Sequence, residues 1–136
     1  MPTKSVWPKL VGPALLIGLP LVAGIAVTTA KAKLKQEAVA QALTGGNPAL
    51  APPIFRRYGC GGCHTIAGIP GADGKVGGPL DGLSEQVYIG GVVNNNSDNL
   101  VAWIVSPQRF SANSAMPATG LKESEARHLA AYLYAH

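Results

Sequence analysis

Hydrophobic and polar positions divide the chain into three stretches. Residues 10–30 are uncharged and predominantly apolar. As a helix rising about 1.5 Å per residue they would span roughly 31 Å, close to one hydrocarbon core. Pro13 and Pro20 would end a helix in water but are tolerated in a spanning one. Residues 31–43 (KAKLKQEAVAQAL) are strong helix formers, expected to continue the same helix into water. Thr44-Gly45-Gly46-Asn47-Pro48 stops it, and an Ala/Pro-rich connector follows to residue 53. Beyond it the pattern predicts a short helix over 53–58, a Gly-rich loop over 65–79 and two further helices. In the first of these Leu100, Trp103 and Ile104 share a face after an N-cap at Ser97, and Ser106-Pro107 ends it. In the second, over 123–134, Leu129, Tyr132 and Leu133 form the apolar face. The expected division is a membrane anchor over 1–30, a helical then Ala/Pro/Gly-rich linker over 31–53, and an all-α globular domain over 54–136.

Composition sharpens this picture. Apolar residues make up 47% and charged residues 13%, which excludes a charge-rich disordered tail. Gly 17 and Pro 11 without a Gly-x-y period point to a compact fold with much loop. Aromatics at 6% are too few for a large aromatic core, so something else is expected to fill the interior. The formal charge of +4 comes from the lysines before residue 54; from there on six basic residues balance six acidic ones. No basic face for nucleic acid is visible. Lys4, Lys9 and the small residues Thr28-Thr29-Ala30 also fit a cleaved secretory signal. The apolar run exceeds the 7–15 residues typical of a signal core, however, and Trp7 stands where an interfacial aromatic belongs; both favour a retained anchor. Lysines on the two sides nearly tie, so they do not orient the span.

The chemistry lies in Cys60-Gly61-Gly62-Cys63-His64, which holds both cysteines of the chain. A thioredoxin-type disulfide would want a βαβ setting, which is absent. A zinc site would need two more ligands, with only His128 and His136 remaining. C-x-x-C-H is the signature of covalent c-type haem. Two thiols at this spacing reach the two vinyl groups on one porphyrin edge, and the adjacent imidazole comes under the iron. One haem c, an apolar disc, would also supply the missing core of a domain otherwise marginal in size. For the other axial position the chain offers Met116, in the loop Ser114-Ala115-Met116-Pro117. A thioether favours ferrous iron and raises the potential. His128 is the other option, but it falls in a Glu- and Arg-rich helix, where a solvent-facing imidazole is expected. Trp103 is a candidate neighbour of the haem edge, with a plain core role open beside it. Arg109 is a candidate partner for a propionate, with a solvated surface role open beside it.

Residues 54–135 resemble class I, mitochondrial-type cytochrome c domains. The likeness is nearest to the domain fused to subunit two of some bacterial haem-copper oxidases. It is carried by Ile54-Phe55 before Tyr58-Gly59-Cys60, by Cys63-His64-Thr65-Ile66, and by Val76-Gly77-Gly78-Pro79-Leu80. Further on it is carried by NNNSDNLVAWI over 94–104, Ser106-Pro107-Gln108, Ala115-Met116-Pro117 and LAAYL over 129–133. The resemblance implies a small helical fold around one covalent haem. It also implies that the carbonyl before Pro79 receives the His64 ring N–H, and that the last helix crosses the first, with Phe55 against Tyr132. No cysteines are left for a binuclear copper centre.

The expected activity is one-electron transfer without a small-molecule substrate. The chain would take electrons from a quinol-oxidising or dehydrogenase complex and deliver them to a terminal oxidase or related membrane acceptor. Haem c is attached on the translocated side, which would place the domain in the periplasm, anchored to the bacterial inner membrane. A haem enzyme or gas sensor with an open sixth position is the alternative.

Overall fold

The computed structural model describes residues 8–136, with side chains from Leu21 onward. Two compact units are present, Met1–Lys35 and Gln36–His136. Helix α1 runs over Pro8–Thr44. Trp7 and much of the expected membrane span over 10–30 lie outside the residues whose side chains are described. Among the described residues no helix is long and apolar enough to cross a membrane.

Helix α1 stops where the Thr-Gly-Gly sequence predicts. Gly45 takes a left-handed φ of 70°, which glycine adopts without strain, and its N–H donates to the Gln41 carbonyl at 2.9 Å. Thr44 turns its hydroxyl back onto the Ala40 carbonyl at 2.8 Å and is wholly buried.

That burial departs from the expected linker. Residues 36–53 belong to the second compact unit, and Ala40, Thr44, Gly46, Pro48 and Ala51 are buried in it. The segment leans on the last helix, α4 (Glu123–Ala135). Arg127 donates from Nη1 to the Thr44 carbonyl at 3.0 Å, and the Asn47 N–H donates to His128 Nδ1 at 2.9 Å. A Cβ on Gly46 would collide with the Arg127 carbonyl. Ala, Gly and Pro read as loop signals in sequence. Here they serve as small residues that let one backbone approach another, and no periodic pattern announces that.

The core is helical. Helix α2 (Ala51–Arg57) begins two residues before the predicted start, with two prolines early in it, where a missing N–H costs nothing. Phe55 meets Tyr132 of α4 edge-on, ring centroids 5.4 Å apart at 75°, the contact the resemblance implies. The Tyr132 hydroxyl donates to the Ala67 carbonyl at 2.7 Å, tying the Gly-rich loop to α4. Helix α3 (Ser97–Val105) buries Leu100, Val101 and Ile104. Its cap is Asn96, whose side chain accepts the Asn99 N–H at 2.9 Å, one residue ahead of the predicted Ser97.

The helical fold is the one expected, and it carries one short strand pair besides. Strands β1 (Tyr88–Ile89) and β2 (Val93–Asn94) form a short antiparallel hairpin. Gly90 and Gly91 both have positive φ, and the Val92 N–H closes the turn onto the Ile89 carbonyl at 3.0 Å. Gly-Gly between apolar pairs is a hairpin signal. Asn95 fixes the hairpin's exit by donating to the Leu83 and Gln86 carbonyls at 2.7 and 2.8 Å, while its oxygen accepts from the Tyr134 hydroxyl at 2.7 Å.

Candidate haem site

Helix α2 leads into Gly59, left-handed at φ 69°, and the chain then folds into a tight 3-10 turn over Cys60–Gly62. The N–H groups of Cys63 and His64 both donate to the Cys60 carbonyl, at 3.2 and 3.0 Å. Both thiols and the imidazole therefore sit within five residues of one small structure. Cys60 is half-buried and Cys63 exposed, and both are free thiols. Burial pushes the Cys60 thiol above its ordinary pKa; a backbone hydrogen bond works against this, and the neighbouring Cys63 adds to it.

The following loop is stacked tightly on this turn. The Gly74 N–H donates to Gly61 O at 3.0 Å, and the Gly77 N–H to Cys63 O at 2.7 Å. A Cβ on Gly61 would lie 2.8 Å from the Ala72 Cα, and one on Gly74 would lie 2.5 Å from Gly62. Asp81 accepts the Ala67 N–H at 2.8 Å, and the Leu80 N–H donates to the Thr65 carbonyl at 3.0 Å. The Gly content of the loop is thus what lets backbone press on backbone.

His64 is oriented by that loop. Its Nδ1 lies 2.7 Å from the Gly78 carbonyl. A carbonyl only accepts, so Nδ1 carries the proton and Nε2 keeps its lone pair. The acceptor is the residue before Pro79, as the resemblance implies. Gly77 passes directly against the imidazole, leaving no space for a Cβ.

The remaining candidates lie on the stretch from α3 to α4. Trp103 is half-buried, tilted 31° against Phe110 with centroids 6.1 Å apart, and packed on Gly90. Arg109 is exposed, at the end of the turn Pro107–Arg109. Met116 is half-buried, and its carbonyl accepts from Gln108 Nε2 at 2.8 Å. The structure thus brings Cys60, Cys63, His64 and the Gly78-Pro79 carbonyl together through direct bonds. It groups Trp103, Arg109 and Met116 along a second stretch. Cys60, Leu80 and Trp103 all edge the same buried core while staying partly uncovered.

His128 departs from expectation. It is half-buried and accepts the Asn47 N–H, so it holds the incoming segment instead of facing solvent freely. His136 stacks on Tyr132, centroids 4.0 Å apart at 9°. Near the start of the motif the Tyr58 hydroxyl donates to Glu125 at 2.9 Å. Glu125 also meets Arg57 at 2.9 Å. The Tyr58 bond, ahead of the nearby cations, holds the Glu125 carboxyl below its usual range. The same bond raises Tyr58. The sequence assigns no role to Gln108, and its place in the stretch Ser106-Pro107-Gln108 is the one signal that marks it.

These residues suit a c-type haem on three structural counts. The two thiols share one turn, and the imidazole presents a free Nε2 with its tautomer fixed. Leu80, Trp103 and Val105 pack on the core while staying partly uncovered, and Val76, Val87 and Val92 stand exposed. An apolar disc bound there would cover surface that the polypeptide leaves bare.

A family model described as Cytochrome c matches residues 49–135. Cytochrome c oxidase subunit 2 of Alkalihalophilus pseudofirmus is 35% identical over 81 residues, which is 59% of this chain and 23% of that protein. The chain therefore spans under a quarter of the curated relative it matches. No solved structure matches it.

Proposed function

The chain belongs to the cytochrome c family, whose members carry covalent haem c and transfer electrons, and from that premise we propose that it is a membrane-anchored single-haem carrier serving a respiratory oxidoreductase. The observation that carries the reading is the 2.7 Å bond from His64 Nδ1 to Gly78 O, immediately after the two-thiol turn. Bound haem supplies an iron that exchanges one electron between its ferric and ferrous states. Cys60 and Cys63 would tether it through their two sulfurs. His64 would ligate the iron through Nε2, its ring oriented by the Gly78 carbonyl. Met116 would supply a second iron ligand, a thioether sulfur that favours the ferrous state. With His64 and Met116 both holding the iron, small ligands would be kept off it and electrons would be the cargo.

The matched relative is named as an oxidase subunit, which supports a terminal oxidase, or a complex containing one, as the acceptor. The donor in this reading is a quinol-oxidising or dehydrogenase complex. Both cysteines of residues 1–136 lie in the haem motif, so these residues themselves hold no cysteine ligands for a copper centre.

Anchoring is supported by the charge-free run over 10–30, which falls within α1. Leu21, Val22, Ile25 and Val27 stand uncovered on that helix. The Thr28 and Thr29 hydroxyls return to the Ile25 and Ala26 carbonyls at 2.9 and 3.0 Å, the form in which a hydroxyl is carried into a bilayer. Haem c attachment outside the cytoplasm then orients the domain to the periplasmic side. A chain starting at Lys31 is expected to leave the membrane fraction in a carbonate wash that retains the full chain. Equal retention of the two would reject the anchor.

The test of the electron-transfer reading is Met116→Ala. Haem attachment should stay intact while the reduction potential falls and ferrous carbon monoxide binding appears. An unchanged potential would show that another residue ligates the iron. Ready carbon monoxide binding by the unsubstituted protein would favour a ligand-binding haem enzyme or sensor.

A further inference from the structure

Between residues 115 and 122 the chain forms no helix or strand, and side chains tie this loop to the stretch before it. The Thr119 hydroxyl donates to the Ile104 carbonyl at 3.0 Å, at the end of α3. Gln108, in the turn Pro107–Arg109, donates from Nε2 to the carbonyl of Met116 itself at 2.8 Å. Because that carbonyl only accepts, the orientation of the amide is settled: nitrogen toward Met116, oxygen away. The oxygen, Oε1, is buried and has no hydrogen-bond partner among the described residues.

The orphaned oxygen makes this arrangement informative. A buried acceptor without a partner destabilises a fold. A Leu of similar volume would occupy the same place and bring no polar atom with it. What Gln adds over Leu is one donor, and that donor is spent on the main chain of Met116. Pro107, the residue before it, is buried and supplies a rigid base for the side chain.

We propose that Gln108 is a positioning residue that holds Met116 in place by clamping its carbonyl, so that thioether ligation depends on an amide eight residues earlier in the chain. This rests on the reading of Met116 as an axial ligand and extends it. A loop without internal ladder bonds samples open states easily. A tether on the ligand residue's own carbonyl shifts the closed-to-open ratio directly. Removing a hydrogen bond and leaving the carbonyl unpaired should raise the ligand-off fraction by about tenfold.

The experiment uses the full haem-loaded chain in three forms besides the unsubstituted one: Gln108→Leu, Gln108→Asn and Met116→Ala. Leu keeps the volume and removes the donor. Asn keeps the amide but is one methylene too short to reach. The readouts are the weak thioether-to-ferric-iron band and the extent of carbon monoxide binding to the ferrous form. In both Gln108 variants the band should weaken and carbon monoxide binding should rise about tenfold over the unsubstituted chain, with haem still covalently attached. If one variant fails to fold, the other decides. A band and gas affinity matching the unsubstituted chain in a folded Gln108 variant would overturn the clamp. A band that survives Met116→Ala would reject the ligand reading itself, and the clamp with it.

Discussion

Replacing Cys60 and Cys63 together by Ala is expected to abolish covalent haem attachment and, with it, the stable fold of the second unit. The two residues are the only cysteines of residues 1–136, at the start and the C-cap of one 3-10 turn, so no other thiol among them can substitute. The turn itself does not need them, since its bonds run from backbone to backbone: Gly62 to Gly59, and Cys63 and His64 to Cys60. The consequence for folding comes from what the haem would cover. Leu80, Val93, Trp103 and Val105 reach the core but stay partly uncovered. A domain of this size is held by roughly 5–15 kcal/mol in all. Losing the large apolar group that closes its open side should remove most of that. Intact-mass measurement should find the double variant at the mass of bare polypeptide, and limited proteolysis should digest the second unit far faster than in the haem-bearing chain. Each single variant should retain one thioether and an intermediate resistance. A double variant that still carries a tetrapyrrole through denaturation would mean the attachment point has been misplaced.

Features set by local chemistry were legible in the sequence, and features set by remote contact were not. The C-x-x-C-H spacing is local, and the end of α1 at Thr44-Gly45 follows from glycine's freedom at positive φ. Phe55 on Tyr132 and the carbonyl before Pro79 were reachable only through the family resemblance, because each pairs residues far apart in the chain or separated by an irregular loop. Residues 31–53 read as a helical and then Ala/Pro/Gly-rich linker, because the Ala, Gly and Pro beyond the helix lack an apolar period. Their packing depends on Gly46 having no Cβ opposite the Arg127 carbonyl, which only the folded arrangement reveals. His128 fell to the same limit, since its partner is a backbone N–H from the other end of the domain. The β1–β2 hairpin could have been read from Gly90-Gly91 between apolar pairs, but its strands are too short to show alternation.

The two glycines ahead of Pro79 read alike as loop composition, and the structure separates their roles sharply enough to test. Gly77→Ala is expected to disrupt the site, and Gly78→Ala, one residue on, to be tolerated. A Cβ at Gly77 would lie 2.6 Å from His64 Nδ1 and 2.9 Å from Nε2, nearer still to the carbon between them. Neither partner can retreat without loss. The Gly77 N–H is bonded to Cys63 O at 2.7 Å, and Gly78 O is the acceptor that orients the imidazole. Moving the backbone surrenders both bonds, and moving the ring takes Nε2 off its bearing. Overpacking of this kind costs about 2 kcal/mol, or roughly 10 °C in the unfolding midpoint of a domain of this length. At Gly78 a Cβ meets nothing within 4 Å of the chain, and φ is not positive, so substitution there should stay within about 0.5 kcal/mol. Melting curves and visible spectra of the two variants, taken side by side, separate the cases. Gly77→Ala should lose the low-spin spectrum of a haem held by His64, and Gly78→Ala should keep it. Equal behaviour in both would show that the close pass of this loop over the imidazole does not set the ligand's position, and that the Gly78 carbonyl alone suffices to hold it.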